Sequence, residues 1–157
     1  MIFTQENHVV CGLDPIADAF AGTIASTIVD VRNYDHVTFL VYGGVNTGGT
    51  GKSTWTVLAC DDTVPSNTHA IAFRYRELTT NDTWGDLTDA TTAGFTNTAA
   101  SGFMLAIEVD VKEIAHTGYH YVKLVGVEAV DDPVVGCILA ILSKSRYAQA
   151  AHGSAID

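Results

Sequence analysis

The run Gly48-Gly49-Thr50-Gly51-Lys52-Ser53 has the residue types of a phosphate-binding loop, in which glycine amides and a lysine cradle phosphate oxygens. The spacing does not support that chemistry. The motif needs a glycine five residues before Gly51, where the chain has Asn46. It also needs a helix after the lysine, whose N-terminal amides face the phosphate. Here Thr54-Trp55-Thr56-Val57-Leu58 alternates and is β-branched, which predicts a strand. The glycine run therefore reads as a flexible hairpin tip.

His116 and His120 are four apart, the spacing of two metal ligands on one helical face. Gly118 between them argues against the helix, and no glutamate follows His116 as a metalloprotease pattern demands. His8, His36, His69 and His152 recur at no fixed spacing. The acid pairs Asp61-Asp62 and Asp131-Asp132 fall in turns and lack the spaced oxygen donors of a calcium loop. Ser26, Ser53, Ser66, Ser101 and Ser143 sit in no Gly-x-Ser-x-Gly elbow. A carboxylate pair assembled across strands is the one catalytic arrangement that spacing leaves open. No catalytic residue, metal ligand or cofactor is assigned, and a non-enzymatic protein is expected.

The elements that would carry any site are strands. Val37, Phe39 and Val41 alternate with Thr38, Leu40 and Tyr42; Phe103, Leu105, Ile107, Val109 and Val111 alternate with Met104, Ala106, Glu108 and Asp110. Val134 to Leu142 is apolar at odd and even positions alike, so both of its faces must leave water. With the aromatic and β-branched stretch Tyr119–Glu128 before it and Asp131-Asp132-Pro133 between, it predicts a central β-hairpin. A second hairpin is predicted from the strand through Tyr42, the glycine tip 43–51 and the strand through Trp55. His8–Leu13 reads as a short strand broken at Asp14-Pro15, and 112–116 as one helical turn at most. Leu78 to Ser101 reads as a long surface excursion with one or two short strands. The prediction is an all-β, antiparallel, jelly-roll-like sandwich of about eight strands with little helix. It forms one domain over 1–157, with an N-terminal arm over about 1–22 and a fraying C-terminal tail over about 148–157.

Composition sets the class. A chain of 157 residues with 47% apolar and 17% charged residues builds one globular core. A net charge of −10, from eight basic against eighteen acidic residues, argues against a nucleic-acid partner. No apolar stretch approaches the ~20 residues of a membrane span, and the start carries no signal-peptide pattern, so synthesis in the cytoplasm is expected. Cys11, Cys60 and Cys137 form no close pair and read as small hydrophobes.

What remains is surface: a strand apolar on both faces, Trp84 and Phe95 inside polar loops, and Arg146-Tyr147 at the end of the last strand. These four residues are the predicted interface set. Trp84, Tyr75 and Phe95 are alternatively suited to stack on sugar rings, as in a carbohydrate- or receptor-binding module.

Several stretches together carry a resemblance: Val31–Phe39, Thr56–Asp62, Ala70–Arg76, Tyr119–Leu124, and Pro133–Leu142 followed by Ser145-Arg146-Tyr147-Ala148. In this order they resemble small proteins encoded in the structural gene clusters of tailed bacteriophages, some of which are jelly-roll head decoration (cement) proteins. The resemblance covers roughly residues 27 to 148 and transfers no binding residue. It implies a virion structural protein on the capsid surface that stabilises the head by bridging capsomers. The implied partners are the major capsid protein and further copies of the chain, as a homodimer or homotrimer.

Overall fold

The structure is a computed structural model and describes residues 2–78, 80, 82–147 and 151–156. Period-two alternation dictates its elements. Val37, Phe39 and Val41 are fully buried on one side of their strand, as are Leu105, Ile107 and Val109 on theirs. Twelve strands result among the described residues: β1 (His8–Ile16), β2 (Thr23–Ala25), β3 (Val29–Asp30), β4 (Tyr34–Gly43), β5 (Lys52–Cys60), β6 (Thr68–Ile71), β7 (Phe73–Leu78), β8 (Thr88–Ala90), β9 (Phe95–Thr96), β10 (Phe103–Asp110), β11 (Tyr121–Val130) and β12 (Gly136–Ser145). A four-residue turn of helix, α1 (Phe3–Glu6), precedes them. A 3-10 helix over Val111–Thr117 follows β10, starting under the Asp110 carboxylate, which accepts from the Lys112 amide, and ending at left-handed Gly118.

The strands form two antiparallel sheets packed face to face. Sheet I runs β1-β12-β4-β10-β7-β8, and sheet II runs β2-β11-β5-β6, with β3 also on β11 and β9 also on β5. The pairings are nested: β1 with β12, β2 and β3 with β11, β4 with β10, β5 with β6. This is a jelly roll, a long antiparallel ribbon rolled into a sandwich. The one or two short strands expected within Leu78–Ser101 are β8 and β9, beside the principal strands of the ribbon.

Rolling the ribbon explains why neither predicted hairpin exists. β11 lies in sheet II and β12 in sheet I; likewise β4 lies in sheet I and β5 in sheet II. The connections 131–135 and 44–51 arch from sheet to sheet. Five residues reach up to about 17 Å, ample for the roughly 10 Å between stacked sheets. Both edges of β12 are taken, by β1 and β4, so β11 has no edge to pair with.

The terminal segments also pack. Of the expected N-terminal arm, His8–Ile16 is strand β1, at the sheet edge where Pro15 needs no pairing amide. Of the tail read as fraying, 151–156 lies against the sandwich, where the Asp30 amide donates to the Ala155 carbonyl at 2.7 Å and Ala155 is buried. Residues 148–150 and 157 of that tail lie outside the described residues.

Trp55 anchors the core. Its ring meets Phe20 edge-on at 5.5 Å and lies over Gly126, where a Cβ would come within 2.7 Å of the indole. Around it Phe39, Leu105, Ile107, Leu124, Ile138 and Leu142 are fully buried from both sheets.

Candidate interaction face

Alternation along β12 sends Gly136, Ile138, Ala140 and Leu142 into the core and leaves Cys137, Leu139 and Ile141 on the outer side of sheet I, half-buried. The register of the neighbouring strands extends these into rows. One row runs Val9–Ile141–Thr38–Glu108–Arg74 across β1, β12, β4, β10 and β7. The next runs Cys11–Leu139–Leu40–Ala106–Arg76, and a third Cys137–Tyr42–Met104–Leu78. Toward β1, β12 and β4 the face is apolar, with Val9 40% and Tyr42 50% exposed.

Toward β10 and β7 the same face turns polar. His36 Nε2 lies 3.1 Å from Glu108, whose carboxylate also accepts from the Thr38 hydroxyl at 2.8 Å. Burial pushes the Glu108 carboxyl up, but these bonds and the charges of His36 and Arg76 outweigh it and hold the group below its ordinary value. Arg74, Arg76 and Lys144 rim a shallow basin beside His36 and Glu108. The opposite rim, at β1, is acidic: Glu6 and Asp14 are exposed there, and Asp14 accepts from the Cys11 thiol at 3.1 Å.

Three other clusters were not legible as such. At the arch end, the amides of Gly48 and Thr50 donate to Asp132 at 3.1 and 2.9 Å. The Thr50 amide foremost, with that of Gly48, holds the Asp132 carboxyl below its ordinary value against a small desolvation. The glycine run that resembles a phosphate loop thus binds an anion, but one supplied by the neighbouring arch. Asp18, Glu128 and Asp131 bring carboxylate oxygens within 4.8 Å of one another, and the Gly22 amide donates to Glu128 at 2.8 Å. Of these three only Asp131 was singled out by sequence; Asp18 comes from a distant segment, and Glu128 reads as the end of a strand. At the far end, the Tyr34 hydroxyl lies 3.2 Å from His8 Nδ1 and 3.0 Å from His152 Nδ1, and the two imidazoles stack at 5.3 Å.

The predicted interface residues do not converge. Phe95 is 9% exposed, paired through β9 with Trp55 and stacked on Tyr75 at 3.6 Å. It is a core residue, because β9 folds back onto β5 rather than staying in a surface loop. The same stack occupies one ring face of Tyr75 and one of Phe95. Trp84 is half-buried in the segment before β8. Arg146 pairs with Asp35 at 2.6 Å, and Tyr147 is 68% exposed. His116 faces His69 at 5.3 Å between ring centroids, across from β6.

The face itself was only half legible. The two-sided apolar run of β12 is legible, whereas alternation alone sets Leu40, Tyr42, Met104 and Ala106 opposite the inner residues of β4 and β10. Apolar residues on the supposedly wet side of β4 and β10 were the signal.

No protein-family model matches the chain, and no curated protein sequence matches it. Among solved structures, the fold is similar to that of the SPBc2 prophage-derived protein YomS, with a TM-score of 0.50 and 13% identity over 88% of this chain and 94% of that one. The CBM22-1–GH10 modules of Clostridium thermocellum xylanase Xyn10B align with a TM-score of 0.36 and 13% identity, over 96% of this chain and 28% of that one, which is too distant to bear on function. No helix among the described residues is long and apolar enough to cross a membrane.

Proposed function

We propose that the protein is a non-enzymatic virion structural protein, a decoration protein that binds the surface of a phage head and braces it by bridging capsomers. The observation that carries this reading is the outer face of sheet I. Val9 and Tyr42 are exposed there, and Ile141, Leu139, Leu40 and Met104 lie partly exposed beside them on neighbouring strands. Apolar surface of this kind marks a protein–protein contact, and a chain that self-associates through it carries two shell-binding bodies at once. The sequence resemblance to head decoration proteins and the jelly roll shared with a prophage-derived protein support the setting.

Bracing follows from mass action. A protein that binds the assembled shell and not its separated capsomers lowers the free energy of the shell by RT ln(1 + [L]/Kd), about 2.7 kcal/mol per site at a hundredfold excess over Kd. Contacts on two capsomers at once multiply weak single contacts through effective concentration.

The test is to mix the purified protein with heads from its parent phage that lack it, sediment them, and heat them. Saturable co-sedimentation and a higher temperature of genome release are expected. Heads that neither bind the protein nor gain stability refute the proposal.

A further inference from the structure

We propose that the apolar face of β1, β12, β4 and β10 is closed by a second copy of this chain, about a two-fold axis that runs along the strands between β12 and β4. The proposal deepens the decoration reading by naming the partner of this face. It takes from that reading only the purpose of the dimer, which is to carry two shell-binding bodies at once.

The area fits. Four strands about 4.8 Å apart and three rows about 6.8 Å apart make a block of roughly 19 by 20 Å, or about 400 Å² in projection. Two copies cover about 800 Å² before the rim is counted. With the rim side chains His36, Arg74, Arg76, Glu108, Glu6 and Asp14 the total passes the roughly 1,200 Å² of a small stable interface. Glu108 is the charged side chain within the block, and it is already held by His36 and Thr38, so the chain's net charge of −10 is not concentrated where the copies meet. Sheet-on-sheet packing of twisted faces at a small angle is an established way to bury such a surface.

Charge selects the axis. Two-fold axes that bring the face onto itself run either along the strands or across them. An axis across the strands lays β7 on β7 and sets Arg74 and Arg76 against their own copies, which like-charge repulsion disfavours. An axis along the strands reverses the strand order of the second copy, so β12 lies over β4 and β10 over β1. The basic rim at β7 then reaches just past the partner's β1, where Glu6 and Asp14 stand. Arg76 shares a row with Cys11, whose thiol donates to Asp14, so Arg76 and Asp14 fall at the same height along the strands. The contact is isologous: each acid–base pair occurs twice.

Sedimentation equilibrium of the full chain, in the absence of any head, tests this. A species of twice the 16.7 kDa chain mass is expected at tens of micromolar. Tyr42→Arg, at an exposed position beside the axis, is expected to give the single-chain mass with an unchanged far-ultraviolet circular dichroism spectrum. Arg76→Glu is expected to raise the dimer dissociation constant at least tenfold, and adding Asp14→Arg to it to restore the wild-type value. Wild-type protein that stays at the single-chain mass at ~100 µM overturns the proposal. So does a trimer, because a two-fold face closes at two copies, and so does a dimer indifferent to Tyr42→Arg and to the charge exchange. A dimer that ignores heads would sink the decoration reading alone, whereas a monomer that binds heads would sink only this inference.

Discussion

Asn97 holds the excursion between β7 and β10 against sheet II, and its removal has a cost that follows from the geometry. The side chain is 2% exposed, and its Oδ1 accepts from the Ser53 amide at 2.8 Å and from the Trp55 indole Nε1 at 3.1 Å. Its Nδ2 donates to the Thr98 carbonyl at 3.1 Å. Asn97→Ala strands two buried donors, each costing about 1–3 kcal/mol when left without a partner. Together with the lost amide–carbonyl bond, the expected loss is about 3–5 kcal/mol. With an unfolding entropy of about 2.1 cal/mol/K per residue, 157 residues give about 0.33 kcal/mol/K, so the midpoint should fall by roughly 9–15 °C. Trp55→Phe removes one of the two donors, so combining it with Asn97→Ala should cost less than the sum of the single changes, by about 1–2 kcal/mol. Urea and thermal unfolding followed by circular dichroism measure both quantities. A loss below about 1 kcal/mol for Asn97→Ala, or zero coupling with Trp55→Phe, would refute the claim that the amide satisfies these donors.

Two further outcomes are expected. At Gly94, φ is +79° and a Cβ would meet the Trp55 carbonyl at 2.0 Å, whereas at Gly22 φ is +63° and nothing lies within 4 Å. Both alanine variants bear the left-handed penalty of about 1–2 kcal/mol, but Gly94→Ala also forces backbone apart. It should lose at least about 2 kcal/mol more than Gly22→Ala in urea titration, and equal losses would contradict the close approach. The third concerns pH. Burial, and then the charge of His152, lowers the His8 pKa below 6.5. The folded state therefore binds fewer protons than the unfolded state, and this contribution is complete above about pH 6.5 and is lost as pH falls below it. The urea midpoint should drop between pH 7.5 and 5.5, and His8→Gln should flatten that drop. An identical slope in the variant would show that His8 is not its source.

The strands were legible because their cause is local. Alternation in Val37–Tyr42 and Phe103–Asp110 names the inner face from one residue to the next, and Asp110 and Gly118 bound the 3-10 helix by capping chemistry that needs no tertiary partner. The partners of those strands were not legible. Asp131-Asp132-Pro133 and the glycines from 43 to 51 read equally well as hairpin turns and as arches, since both need only residues that reverse the chain. Phe95 looked like an isolated anchor in a polar loop because the core that takes it up, Trp55 of β5 with Phe73 and Tyr75 of β7, comes from two other strands. Asp18 likewise joins Glu128 and Asp131, and His152 joins Tyr34, from more than a hundred positions away, beyond the reach of any spacing rule.

By itself, then, the order of residue types determined an all-β sandwich with a strand, β12, that is greasy on both sides, because period-two alternation and its failure are properties of the chain alone. Only the tertiary structure decided that β12 sits between β1 and β4 with Leu40, Tyr42 and Met104 beside it. Pairing partners are fixed by which strand edges remain open once the ribbon has rolled, and that depends on the whole molecule at once. The same rolling turned scattered apolar residues into one continuous outer face and set a basic rim and an acidic rim on its opposite sides.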